Sequence, residues 1–187
     1  MVRTTVGYAG GTKEKPTYRA LGDHTESIQV VYDPAKITYE KVMEIFWADH
    51  DPTEKPWSQQ YKAILFFHDA AQEKAARAWK AKFEEGGKGK VTTEIVVAGT
   101  FWPAEAYHQK YYLRQNRDLA KEFAAVYPDD VDFTASTAAA RVNGWVGGHG
   151  TKADLDRDLA RLGLSASATK RLTEIVTNGE GGSYCSK

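Results

Sequence analysis

The sequence of 187 residues is poor in cysteine: one, Cys185, stands near its end. A single thiol excludes an internal disulfide framework and any cysteine-rich zinc site. Charge of one sign is also lacking, since 25 Lys and Arg balance 25 Asp and Glu. Nucleic acid and anionic membranes both call for an excess of cations, so neither is expected as a partner. No apolar run approaches the ~18 residues of a membrane span. Residues 1–11 do not read as a charged-then-apolar signal sequence, and a cytoplasmic location is expected. The five histidines, at 24, 50, 68, 108 and 149, include no pair at the i, i+4 spacing that aims two imidazoles at one ion. No metal is expected.

What is present is an apolar fraction of 42% with 12% aromatics, the composition of a folded globular chain. Val2–Tyr8 alternates and reads as a strand, closed by Ala9-Gly10-Gly11. Glu26–Tyr32 is a second strand. Thr38 is placed as the N-cap of a helix to about Asp49, with Val42, Ile45 and Phe46 as its apolar stripe. Tyr61–His68 is a continuous apolar strand, expected to be buried on both faces. A helix from Asp69 to about Glu85 carries Ala71, Ala75, Ala78, Trp79 and Phe83 on one side, and Thr92–Ala98 is a fourth strand. Phe101–Tyr112 is read as helical, with Pro103 in its first turn. From Thr134 three short helices are expected: 136–143, 152–162 capped by Thr151, and 166–177 capped by Ser165. A glycine-rich tail carrying Cys185 follows.

Three segments are unusual for a plain core: Gly7–Gly11 with Pro16–Arg19 and His24-Thr25-Glu26; Phe46–Pro52 with Gln60-Tyr61; and Phe101–Tyr111. Together, and in this order, they resemble the A-type peptide methionine sulfoxide reductases, which act on the S epimer; the resemblance covers residues 2–115. It implies an α+β fold, a mixed β-sheet with packed helices (a ferredoxin-like reductase core), here over residues 1–127, with a helical extension over 128–187. It implies that Glu26 protonates the sulfoxide oxygen and that Tyr18, Tyr61 and Tyr111 hydrogen-bond it. It implies a resolving role for Cys185, no cofactor, and thioredoxin or another dithiol as electron donor and partner. Substrates would be free or protein-bound methionine sulfoxide.

The chemistry suits these residue types. Sulfoxide oxygen gains a proton as sulfur is attacked, so an acid is wanted beside it. Phenols supply neutral donors to an oxygen gaining negative character. Taken alone, Glu26 reads as a solvated strand-end carboxylate, Tyr61 as a core tyrosine, and Tyr107 with Tyr111 as one side of a helix. Cys185 reads equally as an exposed tail thiol.

The sequence also departs from the family. The Gly-Cys-Phe-Trp segment that carries the family's nucleophile has no counterpart in it, and Lys55–Gln59 stands where Gly-Asn-Asp-x-Gly is common. Three functional readings follow: a reductase with a truncated start, a catalytically inactive module binding oxidised methionine or a partner peptide, and a helical interaction domain at 134–184.

Overall fold

The computed structural model describes residues 2–87 and 89–182. Cys185 and the end of the tail lie outside them. The described residues fall into two compact units, one of residues 6–104, the other of residues 2–5 with the chain from 105 onward.

The first unit carries two small sheets. β1 (Arg3–Ala9), β2 (Thr25–Val31) and β5 (Trp102–Pro103) form a three-stranded sheet in the order β2-β1-β5. β1 and β5 are antiparallel, with Gly7 opposite Pro103 and Tyr8 opposite Trp102. Only glycine fits at position 7, since a Cβ there would lie 2.3 Å from the Trp102 carbonyl oxygen and 2.5 Å from the Phe101 ring. β3 (Ile64–Phe67) and β4 (Glu94–Val97) pair in parallel, Ile64 opposite Glu94 through Phe67 opposite Val97. Parallel strands need a long crossover, and α2 (Ala70–Glu85) supplies it. Its N-cap Asp69 accepts a hydrogen bond from Gln72 N–H at 2.8 Å. α1 (Tyr39–Ala48) starts at Thr38 as the sequence predicts. Its buried residues, however, are Met43 and Trp47, while Ile45 is exposed. Met43, Trp47, Leu65, Ala76 and Val91 form this unit's core. Of α2, Ala76 is buried, and Ala71 and Ala78 are exposed.

Two sequence expectations are corrected. β3 is shorter than 61–68 and fully buries Leu65 alone, with Ile64, Phe66 and Phe67 half-buried, so the strand is not enclosed on both faces. The region 101–112 is not one helix. Pro103 lies in β5, Ala106–His108 is a single 3-10 turn, and Lys110, at φ 53°, breaks the chain before α3 (Tyr111–Gln115).

The second unit is helical: α3, α4 (Arg117–Val126), α5 (Asp130–Ala135), α6 (Thr137–Val146), α7 (Lys152–Asp158) and α8 (Ala166–Asn178). Thr151 and Ser165 cap α7 and α8 as the sequence predicts, Ser136 caps α6, and Thr151 with Asp154 forms a full capping box. α4 and α5 are further helices, capped by Asn116 and Asp129. Leu113, Leu119, Phe123, Val142, Leu155 and Leu172 anchor one continuous core. Lys110 is buried in this unit. Its ammonium donates to the Thr4 carbonyl at 2.6 Å and lies 3.2 Å from the Thr4 hydroxyl. Burial, with the Arg114 charge second, lowers its pKa to about 8. The fold is α+β with mixed strand pairing. No helix among the described residues is long and apolar enough to cross a membrane.

Candidate active site

The site is assembled by polar clamps. Asp23 folds the loop after β1 back onto the approach to β2. Its carboxylate accepts from Thr12 N–H at 2.7 Å, Thr12 hydroxyl at 2.8 Å and Lys13 N–H at 3.1 Å. The Thr12 hydroxyl first, then the two backbone donors, lower the Asp23 pKa to about 2. His24, next in the chain and buried, completes the clamp. Gly11 N–H donates to its Nδ1 at 3.2 Å, and its Nε2 lies 2.8 Å from the Lys13 carbonyl. An imidazole carrying its proton on Nε2 satisfies both contacts. Gly11 is required by this fit, since a Cβ there would sit 2.6 Å from Asp23 Oδ1.

The same stretch then captures the segment before β3. Thr25 hydroxyl lies 3.0 Å from the Gln60 carbonyl and 3.1 Å from the Lys62 carbonyl. Glu26 N–H donates to the Gln60 carbonyl at 3.0 Å, and Gln60 Nε2 donates to Glu26 Oε1 at 2.5 Å. Gln59 Nε2 reaches the Asp23 carbonyl at 3.0 Å. These contacts set Tyr61 beside Glu26. Tyr18 comes from a tight turn in which Ala20 N–H donates to the Thr17 carbonyl at 2.9 Å.

Tyr18 and Tyr61 are joined by a side-chain hydrogen bond. That bond is the main cause holding the Tyr61 phenol above its ordinary pKa, with desolvation and the Glu26 charge adding in the same direction. The phenol pair and the carboxyl are therefore one electrostatic neighbourhood. Tyr18 is 40% and Tyr61 44% exposed, and Glu26 is exposed too. The site is an open shelf.

Tyr111 belongs to the second unit, where it opens α3 and packs edge-on against Tyr112, ring centroids 5.9 Å apart. Tyr107 lies in the preceding 3-10 turn, so the two tyrosines do not share one helix face. Cys185 falls outside the described residues. No cluster of three or more His, Cys, Asp or Glu that could hold a metal ion occurs among the described residues.

Two neighbours carry weight that the sequence reading did not assign them. Gln60 binds Glu26 through both its backbone and its amide. Trp57 stacks on Tyr61 at 4.6 Å between centroids and 29° between planes, and is 78% exposed. The signal for Trp57 was its setting: a large aromatic in a polar loop, outside any periodic apolar pattern.

Comparison with known proteins assigns this α+β frame to a family. Residues 1–140 match the family model for peptide methionine sulfoxide reductase, so the chain belongs to that family. It is 36% identical over 188 residues to the peptide methionine sulfoxide reductase of Drosophila melanogaster, covering 99% of this chain and 75% of the fly protein. It is 42% identical over 123 residues to the MsrA protein of Methanococcoides burtonii, covering 60% of this chain and 80% of that protein. Among solved structures it resembles reduced Mxr1 of Saccharomyces cerevisiae, with a TM-score of 0.56 at 31% identity over 61% of this chain and 71% of that one. It also resembles methionine sulfoxide reductase A of Corynebacterium diphtheriae, with a TM-score of 0.53 at 31% identity over 62% of this chain and 64% of that one.

Proposed function

We propose that the chain carries the oxygen-binding and proton-donating part of a reductase acting on methionine (S)-sulfoxide, free or in peptides. One observation supports this above the others: Glu26 and the hydrogen-bonded pair Tyr18–Tyr61 share one exposed shelf. In this reading the phenols donate to the sulfoxide oxygen, and Glu26 delivers the proton as a thiolate attacks sulfur. Oxygen passes to the thiol, giving a sulfenic acid, and methionine leaves. A second thiol condenses with the sulfenic acid, forming a disulfide and releasing water. Cys185 is assigned that resolving role. An external dithiol such as thioredoxin then takes the disulfide, so methionine sulfoxide plus two thiols become methionine, a disulfide and water. A cytosolic location suits a dithiol-driven cycle.

The sequence holds no cysteine other than Cys185. That favours a second reading for the chain as it stands, binding of oxidised methionine without turnover. Both readings are tested by joining a strand ending in Gly-Cys-Phe-Trp to the N-terminus and measuring reduction of the two epimers with dithiothreitol. The extended chain should reduce the S epimer, the unextended chain neither. Glu26→Gln should lower turnover about 100-fold. A folded, extended chain without turnover would overturn the reductase reading, and unchanged turnover in Glu26→Gln would remove Glu26 from proton donation.

A further inference from the structure

We propose that Trp57 is a specificity-determining residue: with Tyr61 it forms a preformed aromatic platform that receives a flat side chain next to the oxidised methionine of a peptide. This rests on the sulfoxide reading above.

The indole sits in a segment tied down at two points by Gln59 and Gln60, which hold it to Asp23 and Glu26. One of its faces is used by Tyr61, 4.6 Å away, and 78% of the residue stays in contact with solvent. An indole there adds little to folding, and Tyr61 keeps 44% of its own surface exposed beneath it. Covering Tyr61 therefore does not account for Trp57. A bound peptide does. An extended chain advances about 3.4 Å per residue, so a ring one stacking distance from Tyr61 lies within reach of a side chain one or two residues from a methionine held by the phenols. Aromatic stacking supplies attraction with little ordering cost when the platform is already fixed. Free methionine sulfoxide has no neighbouring side chain and cannot use it.

The test is calorimetric titration of the chain with two tripeptides centred on methionine (S)-sulfoxide, one flanked by glycines and one with phenylalanine on the C-terminal side. The phenylalanine peptide should bind about five-fold more tightly. Trp57→Ala should abolish that difference, and Trp57→Phe should retain most of it. An unchanged unfolding midpoint in Trp57→Ala is expected from its exposure. Equal weakening of both peptides, or none of either, would overturn the platform. If neither peptide binds the unsubstituted chain, the sulfoxide reading fails first and takes this inference with it.

Discussion

The two units hold themselves together by different means. The helical unit buries a continuous apolar core, with Leu113, Leu119, Leu155 and Leu172 fully enclosed. The strand-bearing unit has a smaller core around Met43 and Trp47 and leaves Trp57, Tyr61, Tyr18 and Ile28 in solvent. What fixes its loops is hydrogen bonding: the Asp23 and His24 clamp, then Thr25 and Glu26 on the segment before β3. On the proposed reading the site admits a polar S=O group, which apolar packing alone would not serve. Directional polar contacts can hold phenols in place while leaving them open.

Substitutions can break this contrast, from the largest effect to the smallest. Leu172→Ala empties a fully enclosed position in the helical core and should cost about 3 kcal/mol in denaturant unfolding. A loss below 1 kcal/mol would show that this core is not what stabilises the unit. His24→Ala strands the Gly11 N–H and the Lys13 carbonyl and should cost about 2 kcal/mol. It should also disturb the Tyr61 ring resonances, which Leu172→Ala should leave unchanged. Asp23 contributes through pH. Its folded pKa lies below the unfolded value, so its stabilising contribution is complete above about pH 4 and is lost as pH falls through about 2. Asp23→Asn should therefore be less stable than the parent at pH 6, with the difference shrinking steeply as pH falls to about 2. A gap at pH 2 as large as at pH 6 would show that the Asp23 clamp does not act through its charge.

The contrast also explains what could be read from the sequence. Helices marked by caps were legible: Thr38, Asp69, Ser136, Thr151 and Ser165 each sit where their helix begins, because a side-chain oxygen satisfying an end N–H is a local signal. The stretch after Phe101 was not. Trp102-Pro103 looks like a helix start, yet the pairing of Gly7 and Tyr8 with it is a long-range contact no local pattern announces. In α1, Phe46 packs against the core as read, but Ile45 reads as core and faces solvent while Met43 is enclosed. At the site, family resemblance singled out Glu26, Tyr18 and Tyr61, whose roles belong to the proposal. Gln60 was not legible, because an amide bridging two distant segments has no signature in sequence.

The central claim is that Glu26, Tyr18 and Tyr61 receive a sulfoxide oxygen in one stereochemical sense. Titrating the chain with methionine (S)-sulfoxide and then the R epimer, while following the Tyr18 and Tyr61 ring resonances, tests it most directly. The account predicts that the S epimer shifts both rings and that Tyr61→Phe weakens its binding about ten-fold, with the R epimer silent. Equal response to both epimers, or shifts confined to residues away from this shelf, would contradict it.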